Sequence, residues 1–481
     1  MIRSLHEQLR SRKVSSQELT QHYLKRISSD DTNSFITINE SEALLMAQAA
    51  DKKYQNGEVQ SLLQGIPLAL KDNLVTKGLR TTCASKILGD YQPPYDGVAV
   101  GRLRRSGAIF LGKLNMDEFA MGGSNETSAF GPVKNPVNHD YVPGGSSGGS
   151  AAAVKAGLAV VTLGSDTGGS IRLPASYTGT VGLKPTYGLV SRYGLVAFAS
   201  SLDQIGPLTS SSEDAAIVLS AIAGRDPLEE EQDSTLANQP RQDYLAAMAN
   251  EKGRKLRIGL PHEYFQSGLQ AEVAGAIEQV KTALTKAGHV LVDLSLPQTK
   301  YSVAVYYVVA VSEASSNLSR FDGVRYGARV QGASLAEMYK KTRSLFGPEV
   351  KRRIVLGTFA LSSGYYDAYY KKACQVRRLI KEDFDQAFQK CDAILGPVST
   401  STAFRIGEKI SNPLQMYLND ILTIPVNLSG LPALSVPCGR DSNGLPIGVQ
   451  FIGPAFAESR LLSLGQFVEE SVYKEEVDHG F

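Results

Sequence analysis

Residues 158–170 read Leu158-Ala-Val-Val-Thr-Leu163-Gly-Ser-Asp166-Thr-Gly-Gly-Ser170, an apolar run that stops at a short loop rich in glycine. Six near-continuous apolar residues suit a strand buried on both faces. The loop cannot continue that strand, because glycine loses too much entropy on ordering there. Ile66-Pro-Leu-Ala-Leu70 and Ala108-Ile-Phe-Leu111 share the apolar texture, and helical stretches at 98–105 and 150–156 alternate with these runs. The alternation predicts an α/β fold with a central mixed, largely parallel β-sheet flanked by helices.

Upstream of this region, residues 1–60 read as a helical segment packing on the core. Ser15 and Glu18 make an S-x-x-E capping box ahead of Leu19, Tyr23, Leu24 and Ile27, which recur at helical spacing. An Ala-rich helix at 41–54 is closed by Gly57. Residues 61–250 form the expected catalytic core, with an exposed acidic loop at 226–233. A mainly helical insertion is expected over 251–405, with strands at 256–260 and 289–295 and helices through Tyr306, Tyr339 and Tyr370. Glycine- and proline-rich strand texture returns over 406–481, where 434–438 and 447–452 flank the turn Asp441-Ser-Asn-Gly444 as a hairpin.

At about 150 residues per domain, 481 residues suggest roughly three structural units. Lys plus Arg number 50 against 48 Asp plus Glu, and this balance argues against a chain that grips nucleic acid by itself. At 42% hydrophobic residues the chain has ample core, which excludes intrinsic disorder. Cys83, Cys374, Cys391 and Cys438 form no CxxC pair, so neither a metal site nor a disulfide framework is expected. No apolar run approaches the ~18 residues of a membrane span, and no secretory leader is read at the start. The expected setting is a soluble protein in the reducing cytoplasm.

The chemistry concentrates in Gly144-Gly-Ser-Ser-Gly-Gly-Ser150 and Asp166-Thr-Gly-Gly-Ser170. A plain Gly/Ser linker would not be embedded between buried apolar segments. Gly144-x-Ser146-x-Gly148 matches a nucleophile elbow in form, but only His262, His289 and His479 follow it, none well placed as a base, and His139 precedes it in a polar loop. Asp166-Thr-Gly168 lacks the second D-[TS]-G of an aspartic protease, and no phosphate-binding loop occurs. What remains is a serine nucleophile with a base other than histidine, and lysine is the known alternative. Bringing a lysine from about 10.4 to near 7 takes roughly 4 kcal/mol of desolvation and neighbour effects. The lysine sought therefore ends a buried strand, as Lys71 does in Gly65-Ile-Pro-Leu-Ala-Leu-Lys71-Asp-Asn73.

Lys71 in LKDN, Ser146 in GGSSGGS and Ser170 in DTGGSIR, spaced by 75 and 24 residues, resemble the amidase signature family over essentially the whole chain. The resemblance implies the amidase signature fold, with Ser170 as nucleophile, Lys71 as base and Ser146, in a cis peptide, as the bridging serine. The amides of Thr167, Gly168, Gly169 and Ser170 lie where an oxyanion hole is wanted. Ser147 is expected to support the site by hydrogen bonding, and Ser150 to cap the next helix.

Within the family, 187–207, 312–318 and 352–360 are similar to the glutamine-hydrolysing subunits of tRNA-dependent amidotransferases. That likeness implies ammonia delivered to partner subunits B and C of a heterotrimer. ATP and Mg would be used in a partner subunit, with no cofactor in this chain. Misacylated Glu-tRNA(Gln) would be held mainly through the partner, in keeping with the balanced charge. It also points to Arg353 and Asp420 as glutamine contacts: a guanidinium fork for the α-carboxylate and a carboxylate for the α-ammonium. The alternatives are a stand-alone amidase acting on a small amide and a catalytically silent scaffold, which the intact Lys71–Ser146–Ser170 set disfavours.

Overall fold

The computed structural model describes residues 1–225, 236–266, 268–409 and 413–480. The acidic stretch 226–233 lies outside them. The N-terminal helices form as their sequence dictates. Glu18 N donates to Ser15 Oγ at 3.1 Å and Ser15 N to Glu18 Oε2 at 2.8 Å, closing the capping box. The Glu40–Asn56 helix ends on Gly57 in the left-handed conformation.

Among the described residues, eleven strands form one sheet: β1 (Phe35–Ile38), β2 (Pro67–Lys71), β3 (Ile109–Leu114), β4 (Val161–Asp166), β5 (Val181–Lys184), β6 (Gln204–Thr209), β7 (Arg257–Pro261), β8 (Val290–Leu294), β9 (Ala393–Pro397), β10 (Ala433–Arg440) and β11 (Pro446–Ile452). Their order is β1-β3-β2-β4-β6-β5-β10-β11-β9-β7-β8. The sheet is mixed, but it is not largely parallel. Parallel pairing is confined to β3-β2-β4 at one end and β9-β7-β8 at the other. The middle, β4-β6-β5-β10-β11-β9, is antiparallel throughout. Apolar texture reports burial on both faces, and helices cover both faces of the antiparallel middle as well, so texture alone does not reveal strand direction.

Alternate residues of one strand point to opposite faces, and here they enter different cores. Ala393 and Leu395 of β9 and Val449 and Phe451 of β11 join the larger core, with the N-terminal helices and the Glu458–Ser471 helix. Ile394 and Ile452 join the second, with the helices of the 300–390 region. The region expected as a mainly helical insertion thus contributes β7, β8 and β9 to the same sheet. Its helices Ser302–Asn317, Pro348–Leu361 and Lys372–Ala387 pack together on one face. Tyr306 and Tyr339 lie in helices, whereas Tyr370 sits in a five-residue π-turn, Asp367–Lys371. The hairpin of β10 and β11 forms as read, with Asp441 Oδ1 accepting from Asn443 N and Leu445 N at its turn. All four cysteines are free thiols, and among the described residues no helix is long and apolar enough to cross a membrane.

Candidate active site

The parallel trio β3-β2-β4 sends its C-terminal ends to one side, where α/β sheets place ligand sites. Lys71 is the last residue of β2, Asp166 the last of β4, and Asn115, Met116 and Asp117 follow the end of β3. The strand β4 runs three residues past its apolar run, through Gly164-Ser-Asp166, paired to Gln204–Gly206 of β6. Its polar end faces the site rather than the core, which is why the hydrophobic run understates the strand.

Lys71 and Ser146 are fully buried, and Lys71 Nζ lies 2.8 Å from Ser146 Oγ. It also contacts Ser147 Oγ at 2.8 Å, Ser165 Oγ at 3.0 Å and Ser165 O at 3.3 Å. Burial pushes the Lys71 ammonium down to about 7, against the pull of Asp117, Asp166 and Asp203. The hydrogens around it can be assigned. Ser147 Oγ donates its proton to Ser165 O at 3.0 Å, so towards Lys71 it only accepts. Ser165 Oγ accepts from Asn73 Nδ2 at 2.9 Å. A neutral amine has two hydrogens and one lone pair. Spending the hydrogens on Ser147 and Ser165 leaves the lone pair for the Ser146 hydroxyl. An amine poised near neutrality and one hydrogen bond from a hydroxyl can take up and return a proton.

Ser170 lies beside this cluster, and its carbonyl accepts from Ser147 N at 3.2 Å. At 8% exposure it is the most accessible of the three, and its hydroxyl has no hydrogen-bond partner among the described residues. The Gly145–Ser146 peptide is cis. Of the amides expected as oxyanion donors, Gly169 is already engaged: its N–H donates to Asp166 Oδ1 at 2.8 Å. The amides of Thr167, Gly168 and Ser170 have no acceptor among the described residues. Asp166 anchors the loop from beneath. Although burial opposes ionisation, the Arg172 guanidinium holds its carboxyl at about 2. Arg172 also donates to Thr423 O, Gln450 Oε1 and Asn427 Oδ1. Thr423 Oγ1 donates to Gly168 O at 2.6 Å, and Thr167 Oγ1 to Asp203 Oδ1 at 2.7 Å. Ser150 caps nothing. It lies inside the Gly148–Lys155 helix and donates to Leu163 O at 3.2 Å, because the helix starts two residues earlier than its sequence suggests.

The loop before Ser146 is held by Asp117, whose carboxylate accepts from Asn125 N and from Thr127 N and Oγ1. Asp117 N donates to Ser146 O at 3.2 Å. Gly145 passes so close that a Cβ there would lie 2.0 Å from Asp117 Oδ2, so no side chain fits.

Arg353 and Asp420 both reach this region. A Cβ built on Gly169 would lie 3.2 Å from Asp420 Oδ1, which places that carboxylate against the nucleophile loop. Asp420 Oδ1 is buried and has no partner among the described residues. Burial pushes its carboxyl well above the usual range, the charge of Asp166 adds to this, and Arg353 opposes it. Arg353 is 3% exposed, lies 5.4–5.6 Å from the centres of the Phe198, Tyr307 and Tyr417 rings, and gives its Nε to Glu349 at 2.8 Å. Its two terminal nitrogens have no acceptor among the described residues. Between them Tyr306 leans on Gly168, where an added Cβ would come within 2.8 Å of its ring.

Asp117, Ser165, Asp203, Tyr306 and Thr423 went unread in the sequence, since each meets the site through long-range closure. Arg172 carried a usable signal, being a charged residue six places after Asp166 at the start of a buried helix. Among the described residues, no group of three or more His, Cys, Asp or Glu side chains suits a metal ion.

A family model described as Amidase matches residues 18–462. The chain is 55% identical over 471 residues to the glutamyl-tRNA(Gln) amidotransferase A-subunit of Moorella thermoacetica, covering 97% of this chain and 95% of that one. The crystal structure of the protein of that name from Thermotoga maritima superposes with a TM-score of 0.79 at 43% identity, over 96% of this chain and 95% of that one. The native peptide amidase of Stenotrophomonas maltophilia superposes with a TM-score of 0.81 at 32% identity, over 99% and 98%. The strand-end lysine, the cis serine and the serine of the DTGGS loop thus sit in a chain that belongs to the amidase signature family.

Proposed function

We propose that this protein is the glutaminase subunit of a tRNA-dependent amidotransferase, hydrolysing glutamine and releasing ammonia for the conversion of Glu-tRNA(Gln) to Gln-tRNA(Gln). The observation that carries the reading is a pairing of features. A lysine held near 7 lies 2.8 Å from the Ser146 hydroxyl, and a buried Asp420 oxygen with no partner among the described residues faces the same loop. A free amino acid bears both charges, so Asp420 suits its ammonium and the open end of the Arg353 guanidinium its carboxylate. The 55% identity to a chain named as the A-subunit of such an amidotransferase supports the same substrate.

In the proposed reaction, Ser170 Oγ attacks the side-chain carbonyl carbon of glutamine. Its proton passes to Ser146, whose own proton moves to the Lys71 amine. The oxyanion is received by the free amides of Thr167, Gly168 and Ser170, each such donor being typically worth about 3–4 kcal/mol. When the intermediate collapses, the proton returns from Lys71 through Ser146 to the departing nitrogen. Ammonia leaves, and a γ-glutamyl ester remains on Ser170. A water then attacks the ester with the same relay as base, and glutamate is released.

Partner subunits B and C complete the enzyme, one of them using ATP and Mg to activate the glutamyl ester of the tRNA. The test is coexpression in the cytoplasm with those subunits. The assembled complex should copurify and amidate Glu-tRNA(Gln) with glutamine and ATP. A chain that purifies alone and prefers an uncharged small amide to glutamine would instead be a stand-alone amidase.

A further inference from the structure

We propose that Glu118 is a positioning residue for substrate binding, fixing the helix that carries Arg353 to the segment that braces the relay serine. Because it works through Arg353, the role rests on the reading of that residue as the carboxylate clamp.

Glu118 is 2% exposed and directs its carboxylate to the start of the Pro348–Leu361 helix. Its Oε2 accepts from Gly347 N at 2.8 Å, and its Oε1 accepts from the Ser85 hydroxyl. Gly347 is the N-cap residue of that helix and has no side chain to cap it, and Pro348 follows with no N–H to offer. The carboxylate thus meets the positive end of the helix from a distant segment. The approach requires glycine, since a Cβ on Gly347 would lie 2.2 Å from Glu118 Oε2. The next residue, Phe119, packs its ring 5.6 Å from that of Phe346, just before the helix. Burial pushes the Glu118 carboxyl up to about 6, with the hydrogen bonds from Ser85 and Gly347 and the charges of Lys351 and Lys86 opposing.

The residue before it, Asp117, braces the loop of Ser146. Three consecutive residues therefore hold two things at once: Asp117 the relay loop, and Glu118 and Phe119 the helix of Arg353. Arg353 is tied to Glu349 of its own helix, so it moves when the helix end moves. The reacting serines and Lys71 do not share that tether. Loss of the Glu118 carboxylate should therefore weaken glutamine binding and spare the chemical step.

The test is steady-state glutamine hydrolysis by the assembled complex carrying Glu118→Gln, Glu118→Ala, Arg353→Ala, or Glu118→Ala with Arg353→Ala. Glu118→Ala should raise KM about tenfold with kcat within about twofold of native, the signature of lost binding. Glu118→Gln keeps one accepting oxygen and should raise KM less, about threefold. The double variant should bind no worse than Arg353→Ala by more than about twofold, because both changes remove one contact. If Glu118→Ala fails to fold, Glu118→Gln decides alone. An unchanged KM in Arg353→Ala overturns the clamp reading and this role with it. A raised KM there, beside unchanged KM in the Glu118 variants, additive losses in the double, or a fall in kcat alone, overturns the positioning role while leaving the clamp intact.

Discussion

The two ends of the site are built differently. Around Lys71 most polar atoms are paired: the amine has Ser146, Ser147 and Ser165 within 3.3 Å, Ser147 Oγ donates to Ser165 O and Ser165 Oγ accepts from Asn73 Nδ2, while Asn73 Oδ1 is left without a partner among the described residues. Around Asp420 and Arg353 they are not. Among the described residues, one carboxylate oxygen is buried without a partner and the far end of the guanidinium has no acceptor. A satisfied network is rigid and ready before substrate arrives, whereas an unsatisfied one is completed by it. Chemistry and recognition should therefore fail separately when each end is altered.

The largest effect should come from the reacting end. Ser170→Ala should reduce glutamine hydrolysis by about a thousandfold or more while assembly and the fold persist. Externally supplied ammonia should still support tRNA amidation, and retained glutaminase activity would remove Ser170 as nucleophile. Lys71→Ala should cost nearly as much, and the double variant little more, because a relay fails as a unit. Lys71→Arg should not rescue it, since arginine stays protonated. Either variant with near-native kcat would undo the contrast at its rigid end.

The open end should give a smaller loss in KM. Asp420→Asn should raise KM for glutamine roughly tenfold to a hundredfold, as expected for one charge-assisted contact of about 1.5–3 kcal/mol. Glutamine lacking its α-amino group should already be a poor substrate, and the substitution should cost it little more. Equal impairment of glutamine and its des-amino analogue would show that Asp420 does not read the ammonium. The contrast would then lose its recognition half.

What was legible in the sequence divides along the same line. Lys71, Ser146 and Ser170 could be read because glycine-rich loops and a charged residue ending an apolar strand are local signals. Their nearness to one another came from family likeness. The bracing residues Asp117 and Glu118 sit in Asn115-Met-Asp117-Glu118-Phe119, which follows no pattern. Their distant partners, Ser146 and Gly347, become neighbours only when the chain folds, and Asn125 meets Asp117 through the turn of the intervening loop. Strand direction was misread for the same reason, since the antiparallel middle of the sheet, the β10–β11 hairpin aside, is paired across long connections. The engagement of the Gly169 amide by Asp166 was likewise hidden, because a motif names the residues of a loop but not which way each N–H points.

Whether Lys71 works as a neutral amine can be read from the pH dependence of kcat/KM for glutamine. The folded-state value lies below that of an ordinary lysine, so the active, unprotonated form gains population as pH rises through about 7. A single acidic limb near that value is expected, unchanged when all six histidines are replaced. A profile flat through neutrality, or a limb that disappears with His139, would contradict a neutral Lys71 as the base.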